Sequence, residues 1–351
     1  MTYIAKPKVH HPSMQKNALG LTRRDYEGSM STLCAGCGHD SVTAAIIHAF
    51  WELDIEPHRV AKLSGIGCSS KTPTYFIKQA HGFNSVHGRM PSIATGANAA
   101  NGELTYIGIS GDGDSLSIGV GQLVHLIRRN VNMLYVLENN GVYGLTKGQF
   151  SASADRGTLA KRGEANQLEA IDGCLMALTL GATFVARSFS GDKEQLVPIL
   201  EAGIKHKGFA FIDVISPCVT FNDHQGSTKS YAYTREHMHE ADDIDFVPLR
   251  KEIKMPDGDG PTREVRMHDG SVVKFRRTDE KYDPTNRDQA YAYLREHQNK
   301  GEVVTGLLYV NEQSRDLHDV NKTVPQPLVT VPYEQLTPGA AALAKLQKRY
   351  R

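Results

Sequence analysis

The 351-residue chain is long enough for two or three domains of roughly 150 residues. Its composition, 40% hydrophobic and 23% charged residues, is typical of a globular protein rather than a disordered one. Its 40 basic and 39 acidic residues leave a net charge of +1, which predicts no binding to nucleic acid or to an anionic membrane. No segment has the ~20 consecutive apolar residues that span a bilayer, and the N-terminal segment lacks the apolar stretch of a secretory signal, so we expect a cytoplasmic protein.

Residues 1–32 are polar and irregular, and they are predicted to form an arm ahead of the first helix. That helix is predicted from Asp40 onward, because six apolar residues have the spacing of one buried stripe: Val42, Ala45, Ile46, Ala49, Phe50 and Leu53. Short apolar runs then alternate with helical stretches, and this alternation predicts an α/β fold with a doubly wound, mainly parallel sheet. The predicted strands are Val60–Ile66, Thr105–Ser110, Met133–Leu137, Phe184–Phe189 and Phe209–Ile215, and the predicted helices are Leu116–Arg128, Gln167–Leu180 and Lys193–Ile204.

The sequence pattern changes near Tyr231, which divides a predicted α/β domain at 33–230 from a C-terminal extension at 231–351. Turn-forming residues in the extension indicate a small hairpin, and a proline-rich tail ends the chain. The elements predicted in the extension are the hairpin strands Glu264–Met267 and Val272–Phe275, a polar helix at Arg287–His297 and an apolar strand at Val303–Tyr309. We expect the extension to pack over the core or against a partner subunit.

Four chemically suggestive residues follow the carboxyl ends of predicted strands: Cys68, Asp112, Asn140 and Cys218. In open α/β sheets the ligand crevice lies outside those ends. We therefore expect the four residues to lie together at one edge of the sheet.

The segment from Gly111 to Asn140 begins with a glycine-rich corner and ends with two asparagines, with a helix and a strand between them. The glycines let the backbone approach a diphosphate closely and present amide N–H groups to it. The Asp112 carboxylate, the Asn140 side-chain carbonyl and a backbone carbonyl beyond it would form an oxygen-rich site suited to Mg²⁺. Either motif alone reads as a polar turn, but the 25 residues between them (114–138) make the combination specific.

This combination resembles the thiamine diphosphate motif of thiamine-dependent enzymes. The resemblance implies that Asp112, Asn140 and the carbonyl of Val142 hold Mg²⁺. It also implies that the diphosphate is lined by Gly113, Asp114, Gly144 and Leu145.

The chain has five cysteines, and two of them stand as Cys34-Ala-Gly-Cys37, a pair that in a cytosolic chain more often indicates metal or redox chemistry than a disulfide framework. Cys34 and Cys37 share a loop, while Cys68 and Cys218 each follow a strand. Cys174 lies in an apolar helical run and is predicted to be a buried core residue. The other four suit either a Cys₄ zinc site or a cubane iron–sulfur cluster. Only one Cys-x-x-Cys pair is present, where structural zinc sites usually have two, and this favours the cluster.

Six motifs between Leu33 and His224 resemble, in the family's order, the β subunit of 2-oxoacid:ferredoxin oxidoreductases. They are LCAGCGH, SGIGCSSK, HGRMPSIATGAN, GDGD, NNGVYGLTKGQ and SPCVTFND. The resemblance implies that one [4Fe–4S] cluster, close to the thiazolium ring, is bound by Cys34, Cys37, Cys68 and Cys218. CSSK, HGRMPSIATGANAAN and the long segment after Cys218 are most similar to the 2-oxoglutarate branch.

The resemblance implies an enzyme that oxidatively decarboxylates 2-oxoglutarate with coenzyme A as co-substrate, giving succinyl-CoA and CO₂ and passing electrons through the cluster to ferredoxin. The reaction is expected to be reversible as a reductive carboxylation. A partner α subunit would carry the pyrimidine-binding domain, so we expect an α₂β₂ heterotetramer and an inactive isolated chain. The same chemistry on pyruvate, branched-chain or aryl 2-oxoacids is an alternative. A zinc-stabilised α/β binding protein without a redox role is an alternative of another class.

Several polar residues have both a functional and a structural interpretation. Lys71 would meet the substrate carboxylate or be a solvated surface lysine. His87 and Arg89 would contact the diphosphate or substrate, or else cap a turn and form a structural ion pair. His39 is expected to have a structural role at the start of the first helix. The cofactor is expected to contact Ile66, Gly67, Cys68, Ser69, His87, Gly88, Gly113, Asp114, Gly144 and Leu145.

Overall fold

The computed structural model describes residues 11–160, 163–247, 262–267, 271–277 and 282–350. Its strands are β1 (Val60–Ser64), β2 (His81–Asn84), β3 (Thr105–Gly111), β4 (Met133–Asn139), β5 (Val142–Tyr143), β6 (Gln149–Phe150), β7 (Phe184–Phe189), β8 (Phe209–Ile215), β9 (Met238–Glu240), β10 (Asp242–Val247), β11 (Thr262–Arg266), β12 (Val272–Arg277) and β13 (Val303–Val310). Its α-helices are α1 (Gly38–Glu52), α2 (Met90–Ala100), α3 (Val120–Arg128), α4 (Gly173–Leu180), α5 (Lys193–Lys205), α6 (Tyr231–His237), α7 (Arg287–Asn299), α8 (Leu317–Asn321), α9 (Tyr333–Leu336) and α10 (Gly339–Gln347).

The main sheet has eight strands in the order β2-β1-β3-β4-β8-β7-β13-β9. Neighbouring strands from β2 to β7 are all parallel, while β13 pairs antiparallel with β7 and parallel with β9. Helices α1 and α5 cover one face, and α2, α3, α4 and α7 cover the other. The predicted doubly wound, mainly parallel α/β fold is therefore confirmed. In the part of the chain that the structure describes, no helix is long and apolar enough to cross a membrane.

Burial on both faces explains why the central strands are almost continuously apolar. In β8 every residue is buried, with Phe209 and Phe211 packing in one core cluster and Ala210 and Ile212 in the other. This two-sided packing is the usual environment of a strand in a parallel sheet. The strand positions are thereby fixed firmly enough to hold the loops at their ends.

The core packing gives a stability prediction at Phe211, which is fully buried and stacks on Tyr135 with ring centroids 6.0 Å apart. Phe211→Ala should lower the free energy of unfolding by about 3–5 kcal/mol, because the cavity lies between two packed layers. Chemical denaturation measures this loss. Val329→Ala, at a side chain that is 92% exposed, is the control and should change stability by less than about 0.5 kcal/mol. A similarly small effect at Phe211 would contradict the assigned core.

Two predicted helices begin later than expected. The helix predicted at Gln167–Leu180 begins at Gly173, because the Asp172 carboxylate caps it by accepting the Leu175 N–H at 2.9 Å. The helix predicted at Leu116–Arg128 is divided, since Gly113–Ile118 forms a π-helical turn and α3 begins only after it. That turn keeps the chain close to the end of β3, where the candidate site lies.

Two elements of the structure, β2 and α2, are not predicted from the sequence pattern. The four residues of β2 are all exposed and have no alternating apolar pattern. The sequence of α2, MPSIATGANAA, consists mainly of small residues. Only four of its residues are buried, Met90, Pro91, Ala94 and Asn98, so the helix has no clear apolar stripe. Both elements lie between β1 and β3 in the chain and flank the loop that contains His87.

The C-terminal extension contributes to the main sheet, because β13 and β9 complete one edge of it. The predicted hairpin is present as antiparallel β11 and β12, and β10, which was not predicted, pairs with β12 to make a three-stranded sheet. The hairpin turn at 268–270 and residues 1–10 of the arm lie outside the described residues. The boundaries 1–32, 33–230 and 231–351 stay a prediction.

Candidate functional site

Four neighbouring parallel strands, β1, β3, β4 and β8, end at the same edge of the sheet. A cleft of about 490 Å³ lies beyond their carboxyl ends. It is lined by His39, Ile66, Gly67, Cys68, Ser69, His87, Gly111, Asp112, Gly113, Asp114, Asn140, Val142, Tyr143, Gly144, Leu145 and Thr146. Most of the residues predicted to contact a cofactor therefore lie around one cleft.

Asp112 is one of two buried carboxylates that line this cleft, and Asp114 is the other. Its Oδ2 atom accepts hydrogen bonds from the Gly141 N–H at 2.9 Å, from the Ser153 hydroxyl at 2.6 Å and from the Ser151 hydroxyl. Burial raises the pKa of Asp112, and these hydrogen bonds oppose the rise. A buried carboxylate in this state is well suited to a cation, whose charge would stabilise the ionised form.

Asn140 and Val142 present further oxygen atoms to the same cleft. The Val142 N–H donates to the Asn140 side-chain oxygen at 3.0 Å, and Asn222 donates to the Asn140 backbone carbonyl at 2.8 Å. These bonds fix the turn that follows β4. Carboxylate, amide and backbone carbonyl oxygens make a donor set that a hard divalent cation prefers.

Asp114 organises the loop that contains His87. Its carboxylate accepts the Gly88 N–H at 2.7 Å and the Ser110 hydroxyl at 2.6 Å, and it pairs with Nδ1 of His87. Gly88 does not line the cleft, so its role in this structure is to hold the loop through Asp114.

Close packing around Asp114 gives a second prediction. A Cβ added at Gly65 would lie 1.8 Å from Oδ2 of Asp114, so Gly65→Ala must displace that carboxylate. We expect a loss of about 1–3 kcal/mol in the free energy of unfolding. Gly82→Ala in the neighbouring strand is a matched control, because no atom lies within 4 Å of its added Cβ, and it should cost less than about 0.5 kcal/mol. Equal thermal stability of the two variants would refute this packing.

Four cysteines surround the outer side of the cleft. Cys34 is exposed, Cys37 is buried, and Cys68 and Cys218 are partly buried. A Cβ added at Gly144 would lie 3.4 Å from Sγ of Cys68 and 3.7 Å from Sγ of Cys218, so both sulfur atoms lie beside a glycine that lines the cleft. The loop of Cys34 and Cys37 is held against the end of β8, where the Gly38 N–H donates to the Pro217 carbonyl at 3.2 Å.

Cys174 lies apart from this group. It is fully buried in α4, and its sulfur lies 3.6 Å from the Ala186 carbonyl of β7. Its predicted role as a core residue agrees with this position.

The spacing of the cysteine sulfurs discriminates between the two metal centres that fit four thiolates. Four thiolates around one zinc ion at 2.3 Å lie ~3.8 Å from one another. Among the described residues, only His239, His297 and Glu302 bring three ligand atoms of His, Cys, Asp or Glu within 4.8 Å of one another. No three of the four cysteine sulfurs therefore lie within 4.8 Å of one another, as the thiolates of one zinc ion would.

Burial raises the pKa of the Cys37 thiol to about 12 and also raises the pKa values of Cys68 and Cys218. Neighbouring thiolates contribute to the increase, since Cys218 acts on Cys37 and on Cys68, and Cys34 acts on Cys68 and on Cys218. The four sulfurs thus form one electrostatic group. Binding of a metal centre would remove protons from them.

His39 connects the cysteine loop to the cleft. Its Nδ1 atom lies 2.6 Å from the Ser216 hydroxyl and 3.5 Å from the Glu138 carboxylate, while its Nε2 atom lies 3.5 Å from the side-chain amide of Asn140. Burial lowers the pKa of His39 to about 4, so the ring is neutral at physiological pH. Its position at the start of α1 agrees with the expected structural role.

Two residues predicted as catalytic lie outside the cleft lining. Lys71 is in the short turn that follows Cys68, where its N–H donates to the Cys68 carbonyl at 3.1 Å. Arg89 is exposed and immediately precedes α2. Direct contact of either side chain with a substrate stays a prediction. His87 does line the cleft, with its ring Nδ1 held by Asp114.

Sequence reasoning missed the hydrogen-bond partners of the predicted ligands. Ser151 and Ser153 hold the Asp112 carboxylate, and Ser153 also donates to the side chain of Asn139 at 2.8 Å. Asn222 holds the turn at Asn140. The two serines that follow β6 are apparent in the sequence as possible hydrogen-bond donors. However, nothing in the sequence places the loop that contains them beside Asp112.

A family model described as the C-terminal TPP-binding domain of thiamine pyrophosphate enzymes matches residues 65–214. The matched range contains Cys68, Asp112 and Asn140 and ends within β8. It therefore covers most of the cleft described above.

Curated relatives match about half of the chain. Subunit beta of 2-oxoacid:ferredoxin oxidoreductase 1 from Aeropyrum pernix is 46% identical over 194 residues, which cover 55% of this chain and 60% of that protein. The 2-oxoglutarate synthase subunit KorB from Methanocaldococcus jannaschii is 38% identical over 189 residues, which cover 54% of this chain and 69% of that protein. The match thus spans less than two thirds of the first relative's length.

A solved structure has the same fold over nearly the whole chain. It is the 2-oxoglutarate:ferredoxin oxidoreductase from Magnetococcus marinus with 2-oxoglutarate, coenzyme A and succinyl-CoA bound. The TM-score is 0.70 at 29% sequence identity, and the alignment covers 89% of this chain and 90% of that chain.

Proposed function

Since this chain belongs to the family of 2-oxoacid:ferredoxin oxidoreductase β subunits, we propose that it is the thiamine diphosphate-binding subunit of a 2-oxoglutarate:ferredoxin oxidoreductase. The reaction converts 2-oxoglutarate, coenzyme A and two oxidised ferredoxins to succinyl-CoA, CO₂, two reduced ferredoxins and a proton. A low-potential donor would drive it in reverse. The names of the Methanocaldococcus relative and of the Magnetococcus structure support 2-oxoglutarate as the substrate.

The observation that carries this proposal is the meeting of a buried carboxylate and four cysteines at one edge of the sheet. Asp112, Asn140 and the carbonyl of Val142 are the residues that would hold Mg²⁺, and the buried Asp112 carboxylate suits that cation. The diphosphate would lie against the backbone of Gly113 and of Gly144. Both glycines line the cleft.

The cysteines at 34, 37, 68 and 218 are the ligands that we assign to one [4Fe–4S] cluster. Two of these sulfurs lie beside Gly144 of the cleft, and no three of the four lie as close together as one zinc ion requires, which supports a cluster. Thiamine diphosphate, when bound, would supply an electron sink for decarboxylation, and a cluster held by these thiolates would supply a one-electron acceptor. The chain itself would provide the thiolates that hold the cluster.

The other residues of the cleft hold these ligands in place. Asp114 fixes His87 and Gly88 through its carboxylate, which keeps the imidazole at the cleft wall. Ser151 and Ser153 orient the Asp112 carboxylate through their hydroxyls. Pre-oriented groups of this kind bind a charged cofactor without a further cost of reorganisation.

The naming of the relatives as beta subunits supports an α-subunit partner. We propose that the α subunit supplies the pyrimidine-binding domain, that the assembly is α₂β₂, and that ferredoxin is the external electron acceptor. The isolated chain should then be inactive. The cytoplasmic location expected from the sequence stays a prediction.

The test is an anaerobic assay of the complex co-expressed with its α subunit. Coenzyme A and methyl viologen are supplied with 2-oxoglutarate, pyruvate, a branched-chain 2-oxoacid or an aryl pyruvate in turn. We expect 2-oxoglutarate to give the highest kcat/KM and the chain alone to reduce no viologen. A higher value for another acid would correct the substrate. No acid-dependent reduction, together with zinc in place of iron, would favour the alternative of a zinc-stabilised binding protein.

A further inference from the structure

The loop after β8 folds back over the cysteine loop that precedes α1. The N–H groups of Phe221 and Asn222 both donate to the Cys218 carbonyl, at 3.2 and 2.9 Å, which forms a tight turn. This turn places Thr220 beside Cys34, and the Thr220 hydroxyl donates to Sγ of Cys34 at 3.6 Å. The two residues are 186 positions apart in sequence, so the contact depends on the folded arrangement.

Cys34 has a special position among the four cysteines because it alone is exposed. Cys68 and Cys218 lie beside Gly144 of the cleft and are partly buried, so Cys34 is the proposed ligand most open to solvent. A hydroxyl bond to this thiolate thus lies at the solvent side of the cluster.

A hydrogen bond to a ligand sulfur favours the reduced state of an iron–sulfur cluster. One-electron reduction adds negative charge that is shared by the thiolates, and a donor stabilises this added charge. Hydrogen bonds to the sulfurs are among the main determinants of cluster potential. The Thr220 hydroxyl is held in place by the turn, so it is available to both states of the cluster.

We propose that Thr220 is a positioning residue that raises the reduction potential of the cluster by donating a hydrogen bond from its hydroxyl to the Cys34 thiolate. This inference rests on the proposed function, since it requires the cluster assigned above. The reaction affected is the transfer of one electron to the oxidised cluster, with no proton or bond exchanged at Thr220.

The experiment is a redox titration of the anaerobic α–β complex, followed by the EPR signal of the reduced cluster. Thr220→Val removes the hydroxyl but retains the shape and the backbone N–H. We expect this variant to shift the reduction equilibrium about tenfold toward the oxidised state. For a one-electron couple, this is a fall of about 59 mV in the reduction potential of the cluster. Thr220→Ser retains the hydroxyl and should restore the wild-type potential to within a small fraction of that shift.

Iron content and a second variant separate the outcomes. Thr220→Ala also lacks the hydroxyl, so it should show the same lower reduction potential. It replaces Thr220→Val in the titration if that variant takes up too little iron. Wild-type potentials in Val or Ala variants with normal iron content would overturn this inference and leave the proposed function intact. A wild-type complex without iron would overturn both.

Discussion

A Cys68→Ser variant of the α–β complex should be purified without an iron–sulfur cluster and should reduce no ferredoxin. Serine offers a hard oxygen in place of the soft thiolate that these clusters require. The lost sulfur is one of the two that face Gly144, so the centre would lose a ligand on the side of the cofactor cleft. Iron and acid-labile sulfide assays, together with the brown colour of the protein, measure the outcome.

Cys174→Ala is the matched control for that variant. Cys174 is as buried as any core residue, but it lies in α4 and contacts the carbonyl of Ala186. We expect this variant to keep its iron and colour and to lose only folding stability. Full iron content in Cys68→Ser, or loss of iron in Cys174→Ala, would contradict the assignment of the ligands.

An Asp112→Asn variant should lose the binding of thiamine diphosphate with Mg²⁺. The carboxylate is the only charged member of the proposed cation ligands, and an amide cannot offset the charge of the cation. Loss of outer-shell partners costs roughly 10- to 100-fold in metal affinity, so loss of the ligand itself should cost at least that much. Titration calorimetry of the complex with thiamine diphosphate and Mg²⁺ measures the change.

Protein stability separates a binding defect from a folding defect in this variant. Burial raises the pKa of Asp112, so the folded cation-free chain holds the proton more tightly than the unfolded chain does. Its free energy of unfolding therefore falls as pH rises above the ordinary value of 3.8, up to the folded-state pKa. Asp112→Asn has no carboxylate to titrate, so it avoids this fall in the free energy of unfolding. At neutral pH and without Mg²⁺, the variant should be at least as stable as the wild-type protein.

Added ligand should then stabilise only the wild-type protein. A ligand present at 100 times its Kd adds about 2.7 kcal/mol to the free energy of unfolding. Thermal unfolding with and without thiamine diphosphate and Mg²⁺ checks this difference. Equal stabilisation of the Asp112→Asn variant would show that the carboxylate does not hold the cation.

Most of the sheet could be predicted because its strands are buried on both faces. Phe184–Phe189 and Phe209–Ile215 have the predicted bounds, and every residue of both strands is buried. β2 could not be predicted, because it is an exposed edge strand whose position depends only on pairing with β1. The late start of α4 depends on the capping by Asp172, a local bond that competes with the helical pattern around it.

The site residues could be predicted where function requires a particular atom, such as the sulfur of Cys68 or the carboxylate of Asp112. Their supports could not be predicted, because they are long-range contacts between common polar residues. Asn222 reaches Asn140 across 82 positions, and Ser153 reaches Asp112 across 41. Such contacts follow from the order of strands in the sheet, which the sequence pattern does not specify.

We expect the cation site at Asp112 and the cluster at the four cysteines to be close neighbours at one edge of the sheet. EPR of the reduced complex, prepared with Mn²⁺ in place of Mg²⁺, tests this most directly. A paramagnetic ion near the cluster should shorten the relaxation time of the cluster signal, and thiamine diphosphate should be required for the effect. Identical relaxation with Mn²⁺ and with Mg²⁺, in a complex that contains both iron and thiamine diphosphate, would contradict the shared site.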